Sequence, residues 1–423
     1  MLELRFIREN PDVVKKDLKR RGYEDWSARV DSLLGLDAEH RKLIGRSQEL
    51  RAMRNNLAQE INELKKQGKD IAAKVQEAKR IPGEIKKIEE TQNQTSEKIS
   101  SMLYQIPNIL HDSVPNGQTP DDNITVREVG KIPEFDFNPK SHVDFLDAGL
   151  ADIERAGKIS GARFYYLKKE LVLMDFALQK LALDLLYKKN YTLVQPPYLM
   201  HRKPYEGVTD LKDFEDVMYK IEGEDLYLIA TSEHPMAAMY MDEVLDESQL
   251  PIKLAGVSPC FRKEAGAHGK DTKGIFRVHQ FNKVEQFIFC KPEDSWQLHE
   301  ELLKNAEDIF KKLKLPYRVV NICTADIGTV AAKKYDIEVY YPVQKQYREA
   351  CSISNCTSYQ AARLNVKYRS AEGNRYVHTL NATAVATTRA MAAIIENYQN
   401  KDGSITIPTV LHKYMDGLKK IKP

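Results

Sequence analysis

Residues 258–289 read SPCFRKEAGAHGKDTKGIFRVHQFNKVEQFIF, and no other stretch of the chain gathers so many guanidiniums, carboxylates and rings. Residues 260–264 read as a short extended run and 265–274 as a loop with three glycines. Residues 275–289, rich in aromatic and β-branched side chains, read as a returning strand. Side chains alternate across a strand, so Arg262 and Glu264 share one face, and Arg277, His279, Phe281, Lys283 and Glu285 share one face of the return. A charged face of this kind suits a hairpin turned to solvent. It also suits a nucleotide site, where guanidiniums clamp phosphates, a ring stacks on a base and carboxylates take a metal or an ammonium. Arg389 is a second candidate. If 384–398 is a helix, its neighbours one turn away are Val385, Ala386, Ala392 and Ala393, a small-residue face on which a guanidinium serves either a salt bridge or a γ-phosphate. The chain contains no GxGxxG or GxxxxGK[ST] run, which argues against Rossmann and P-loop nucleotide sites.

The elements that must position these residues fall into two parts. Asn10-Pro11 opens and Arg21-Gly22 closes a short helix within residues 1–27. Leu36, Leu43, Leu50, Leu57 and Leu64 then recur every seven residues, with Met53 and Ile61 between them. Past Gln67-Gly68-Lys69-Asp70 the spacing resumes through Ile71, Val75, Ala78, Ile85, Ile88, Ile99 and Met102. Thr91 and Thr95 interrupt it, and Pro82 is expected to kink it. Two helices of about 35 residues joined by a tight turn make an antiparallel hairpin roughly 50 Å long. Residues 41–90 carry 13 Lys and Arg against 8 Asp and Glu, net +5 where the whole chain is +3. The hairpin is either a solvated coiled coil or a basic arm for a phosphate backbone.

Residues 105–140 hold most of the turn chemistry and read as a linker and domain boundary. Beyond them, helices are expected over 167–187, 296–313 and 384–398, and strands over 191–195, 226–229, 317–322, 336–341 and 376–380. Strands separated irregularly by helices point to an α+β fold with a mainly antiparallel sheet flanked by helices. At 423 residues and 42% hydrophobic content the chain can build two domains, divided here as 1–110 and 111–423. Its near-neutral charge confines any nucleic-acid contact to a local patch. Cys260, Cys290, Cys323, Cys351 and Cys356 are odd in number and lack CxxC spacing, against a disulfide framework or a structural zinc. The N-terminal MLELRFIREN has no signal-peptide core and no run of about 18 apolar residues exists, so a cytoplasmic protein without membrane contact is expected.

In order and spacing, the motifs resemble those of the seryl-tRNA synthetases, class II aminoacyl-tRNA synthetases, along essentially the whole chain. Tyr191-Thr-Leu-Val-Gln-Pro-Pro197 is similar to the first class II motif. Phe261-Arg-Lys-Glu264 with Gly274-Ile-Phe-Arg-Val-His-Gln-Phe281 is similar to the second, and Thr379-Leu-Asn-Ala-Thr-Ala-Val-Ala-Thr-Thr-Arg389 to the third. Thr231-Ser232-Glu233, Glu285 and the run from Tyr347 to Cys356 resemble the serine-specific branch, as does the linker with Ile106-Pro-Asn. The resemblance implies a class II catalytic domain after a tRNA-binding helical arm. It implies catalytic roles for Arg262, Glu349 and Arg389, and ATP contacts from Arg262, Glu264, Arg277, Val278, Phe281, Glu349, Ser352 and Arg389. Serine would be held by Thr231, Glu233, Arg262, Glu285, Asn381 and Thr383, and an ATP-bound Mg²⁺ by Glu349 and Ser352. Pro197 would lie at a homodimer interface. The implied partners are ATP, L-serine and tRNA(Ser), with tRNA(Sec) as a further acceptor. Departures from the family pattern are Ala382-Thr383 in place of Gly-Ser, Ser232 in place of Ala, and Asn282 in place of an acidic residue. Two rivals are an amino acid:carrier-protein ligase, which would lack the arm, and a catalytically silent RNA-binding paralogue, which would have lost the charged residues.

Overall fold

The computed structural model describes residues 1–209, 217–264 and 273–423. Most of the glycine loop expected after Glu264 lies outside the described residues. Contacts divide the chain into two units, Met1–Pro107 and Asn108–Pro423.

In the first unit, α1 (Leu4–Glu9) and α2 (Pro11–Arg20) precede two long helices, α3 (Ser27–Lys66) and α4 (Ala72–Gln105). The leucine spacing finds its partners in mid-hairpin, where Leu50 and Leu57 bury against Ile81 and Ile85. Leu36, Leu43 and Leu64 are only half-buried and Met53 is exposed, so the seam is narrower than the pattern suggests. Arg51 bridges to Glu89 at 2.7 Å and Lys74 to Glu60, pinning the antiparallel register. Thr95 is buried without cost because its hydroxyl donates to the Thr91 carbonyl at 2.8 Å. The helix runs unbroken through Pro82, which is exposed. Pro82 has no N–H to give the Ala78 carbonyl one turn back, and the helix continues without that bond.

The second unit is built on an eight-stranded sheet. Its strands in chain order are β1 (Ile124–Val129), β2 (Thr192–Val194), β3 (Ile252–Phe261), β4 (Gln280–Cys290), β5 (Tyr317–Asn321), β6 (Lys333–Tyr341), β7 (Gln346–Asn355) and β8 (His378–Ala386). They lie in the order β1-β5-β6-β7-β8-β4-β3-β2, and every neighbouring pair is antiparallel except β2 with β3. Helices α5 (Glu170–Lys188), α6 (Ser295–Leu313) and α7 (Thr387–Asn397) contribute to the main core. Strand β4 shows how the two faces separate. Val284, Ile288 and Cys290 enter that core, while Phe287 and Phe289 join a second cluster with Met236, Leu245 and Val377. Phe281, Lys283 and Glu285 share the phase of Phe287 and Phe289, and so belong to the second side.

Four expectations need correcting. The return strand starts at Gln280, so Arg277 and His279 precede it, in a bend. Residues 384–386, read as helix, finish β8; three buried small residues in a central strand carry no period that separates the two. Arg389 therefore sits in the first turn of α7, with Val385 and Ala386 behind it in the strand. The supposed linker contains β1, an edge strand exposed along most of its length, Ile124 and Val126 included, and held through β5 and an Arg127–Glu307 pair at 2.6 Å. Strand β7 has no counterpart among the expected strands, because its cavity-facing residues are polar.

Candidate active site

A cavity of ≈ 440 Å³ opens on the second side of the sheet. Its floor follows from strand phase: Phe281, Lys283 and Glu285 from β4, Asn381 and Thr383 from β8, and Glu349 and Ser352 from β7 all line it. Glu349 and Ser352 are three residues apart, which in a regular strand puts them on opposite faces. Ile337 pairs with Cys351 while the next residue, Glu338, pairs with Glu349, so Ala350 is bulged and both polar side chains reach the same wall. Gly256 on β3 faces Glu285 across the ladder. A Cβ there would stand 2.8 Å from Ser232 Oγ and 2.7 Å from Met236, so any larger residue would force the Met236 tip and the Ser232 hydroxyl to shift.

One end of the cavity is acidic. Glu285 Oε2 holds Lys283 Nζ at 2.6 Å and accepts the Thr383 hydroxyl at 3.1 Å, and both charged side chains are buried. Among the described residues Glu233 has one side-chain donor, Gln360 Nε2 at 3.3 Å. Burial, with the Glu285 charge second, pushes its carboxyl up to about 7. His234 next to it is held well below its ordinary value by burial and then by Lys283 and Arg262, so it stays neutral with Nδ1 3.0 Å from the Tyr205 hydroxyl. Thr231 does not line the cavity. It is buried, and its hydroxyl accepts the Glu233 N–H at 3.2 Å, so it shapes the turn that presents Glu233. Ser232, the departure in this triplet, is spent on the Gly256 carbonyl at 3.2 Å.

The other end is cationic. Arg262 Nε donates to the Ala230 carbonyl at 3.3 Å, and the guanidinium stands 5.5 Å from the centre of the Phe281 ring. Arg389 reaches Glu349 through Oε1 at 3.2 Å and through the backbone carbonyl at 3.0 Å, and lies 5.1 Å over Phe276. Arg389 is also the main reason that the Glu349 carboxyl lies below the usual carboxylate range. Arg277 pairs with Glu264 at 3.2 Å, beside Val278 in the wall. Every expected ATP contact thus lines the cavity, and so do all the expected serine contacts except Thr231. Pro197 lies apart, exposed after β2.

Among the described residues no three His, Cys, Asp or Glu side chains form a metal site of their own. Glu349 and Ser352 are hard oxygen donors suited to an ion that completes its shell with ligand oxygens. Behind Ser352 stands Asp336, its partner across the ladder. Its carboxyl is raised to about 7 by burial, and its Oδ1 is buried with no hydrogen-bond partner among the described residues. Lys283 and Phe276 are additions to the expected site, while Asp336 stands behind its wall. Lys283 is legible from its strand phase. Phe276 is not, since nothing in its type or spacing says that Arg348 at 4.3 Å and Arg389 both cover its ring.

Residues 1–110 match the family model of the seryl-tRNA synthetase N-terminal domain, and residues 217–398 match that of the class II tRNA synthetase core domain (G, H, P, S and T). A serine–tRNA ligase from Methanoregula boonei is 58% identical over 98% of this chain and 99% of its own length. One from Pyrococcus abyssi is 50% identical over 100% and 98%. The crystal structure of seryl-tRNA synthetase from Pyrococcus horikoshii complexed with ATP superposes with a TM-score of 0.95 at 48% identity, covering 100% of both chains.

Proposed function

The chain belongs to the seryl-tRNA synthetase family, and from that premise we propose how its cavity carries out the two steps of an ATP-dependent serine–tRNA ligase. In the first, a serine carboxylate oxygen attacks the α-phosphorus in line. The bond from that phosphorus to the bridging oxygen breaks, and pyrophosphate leaves with the electron pair. The nucleophile is ionised at neutral pH, so no base is needed and the work is positioning and charge stabilisation. Arg262, whose Nε is bonded to the Ala230 carbonyl just before the Thr231–Glu233 turn, is assigned both the α-phosphate and the serine carboxylate, while Arg389 holds the γ-phosphate and Phe281 stacks on adenine. Glu349 and Ser352 would hold an ATP-bound Mg²⁺, which would supply neutralisation of the pyrophosphate charge. In the second step a 3′-terminal hydroxyl of tRNA(Ser) attacks the seryl carbonyl, giving the ester, AMP and a proton.

The observation that carries the reading is the acidic end. Glu285 already has its cation in Lys283, so it is assigned the serine hydroxyl together with Thr383; Glu233, buried beside the Gln360 amide, is left for the ammonium. Such a pocket rejects alanine, which leaves those acceptors unpaired. Serine-dependent ATP–pyrophosphate exchange tests it: exchange with threonine or glycine in place of serine would sink the assignment.

The α3–α4 hairpin is assigned to the tRNA backbone on the strength of the net +5 carried by its residues 41–90. Replacing residues 52–88, which lie beyond the Arg51–Glu89 bridge, by a short polar turn should leave exchange within about threefold and reduce tRNA(Ser) charging by at least ~10²-fold. Unchanged charging would remove the hairpin from recognition. Charging of tRNA(Sec) follows from the same arm and is read in the same assay. Homodimerisation is supported by the exposed Leu173, Phe176 and Tyr187 on α5 and by Leu193 and Leu199 flanking the exposed Pro197; a solution mass of one chain, 48.5 kDa, would contradict it. The carrier-protein ligase and the silent paralogue gain no support.

A further inference from the structure

Asn108 is the first residue of the second unit and stands just outside the cavity lining. It is 2% exposed and its amide is fully engaged. Nδ2 donates to the Val330 carbonyl at 2.9 Å and to the Cys356 carbonyl at 2.8 Å; Oδ1 accepts the Ile109 N–H at 2.9 Å. Its backbone N–H donates to the Thr329 carbonyl at 2.8 Å, and the Thr357 hydroxyl lies within 3.2 Å of both amide atoms. The two segments joined in this way are both cavity wall: Thr329 and Val330 lie in the loop between β5 and β6, and Cys356 follows β7. Cys356 Sγ in turn accepts from Asn381 Nδ2 at 3.6 Å, at the end of the cavity assigned to serine.

The β6–β7 ladder ends at Lys333–Asn355 with one further bond from the Ala332 N–H to the Asn355 carbonyl at 2.8 Å; beyond it one buried side chain ties Val330 to Cys356 with two N–H bonds. We propose that Asn108 is a positioning residue that sets the width of the serine end, and through it the discrimination against threonine. The inference rests on the assignment of that end to serine. It differs from a merely structural role in that it acts on one substrate: the ATP-facing Phe281 and Arg389 are carried by β4 and α7, and Glu349 and Ser352 lie within the β6–β7 ladder, which holds them without Asn108.

The test uses the full-length chain with Asn108→Ala, Asn108→Asp and the milder Thr357→Val, measured in pyrophosphate exchange with serine and with threonine, alongside thermal melting. Asn108→Ala should raise KM for serine about tenfold, leave KM for ATP within about twofold, and narrow the serine-to-threonine ratio of kcat/KM about tenfold. Asn108→Asp keeps the shape but turns a carboxylate toward two carbonyls, so it should do at least as much; Thr357→Val should shift the same two quantities in the same direction by less. A lowered melting temperature with KM for serine and the serine-to-threonine ratio unmoved in all three variants overturns the proposal. Glu285→Gln separates the two levels. If it leaves KM for serine unchanged, the assignment of the serine end is wrong; if it raises KM while the Asn108 variants do not, only the role of Asn108 fails.

Discussion

Arg389→Ala should lower kcat/KM for ATP in serine-dependent exchange by about 10³-fold, the size seen when a preorganised charge donor is removed from a transition state. The guanidinium sits in the first turn of α7, where the backbone dipole also favours an anion, and is oriented by the Glu349 carboxylate and the Phe276 ring. In the variant that carboxylate loses the cation chiefly responsible for its depressed pKa and repels the incoming triphosphate. Arg389→Lys should recover little, because a point charge cannot span Glu349, the aromatic face and a phosphate at once. KM for serine should stay within about twofold, since the acidic end has its own cation in Lys283. A loss smaller than about fivefold in kcat/KM for ATP would remove Arg389 from phosphate binding.

The second large effect is expected at the acidic end. Glu285→Gln takes away the charged acceptor of the Thr383 hydroxyl and leaves Lys283 buried without its counter-ion, so kcat/KM for serine should fall by about 10²- to 10³-fold. The pH profile carries a separate signature. Glu233 is raised to about 7, so below that pH it is protonated and offers no charge to an ammonium; above it, the carboxylate is present. In the unsubstituted enzyme kcat/KM for serine should therefore rise with pH and level off above about 7. The Glu285 charge is the second cause of that shift, after burial. In the Glu285→Gln variant the plateau should begin at lower pH, yet still above the ordinary carboxylate range. Coincident profiles would mean that Glu233 and Glu285 do not share one site.

The hairpin and the second-motif strand are legible because their chemistry repeats: leucines every seven residues, and charged or aromatic side chains at alternate positions leading into and along β4. What stays hidden is set by tertiary pairing. Glu349 and Ser352 fall on one wall only because Ala350 is bulged against β6, and nothing in YREACSISN announces an extra residue in the ladder. The polar content that makes β7 a cavity wall is also what disguises it as a loop. At Ala384–Ala386 the ambiguity is of another kind: small buried residues satisfy helix and central strand alike, so the start of α7, and with it the setting of Arg389, has to come from the pairing of β8 with β4. Thr231 enters the expected pocket by motif alone, and one hydrogen bond from the Glu233 N–H holds it behind the wall.

The passage from the first unit to the second is not a neutral seam. Asn108 lies before the 110/111 boundary and within the span of the N-terminal family model, yet it groups with the second unit and is bonded to two segments of the cavity wall. Any exchange of N-terminal domains between related chains must therefore cross over before residue 108 and leave Asn108 with its catalytic unit. Joined after it, a foreign domain would supply the residue that gauges the pocket, and the hybrid would inherit its selectivity from the wrong parent.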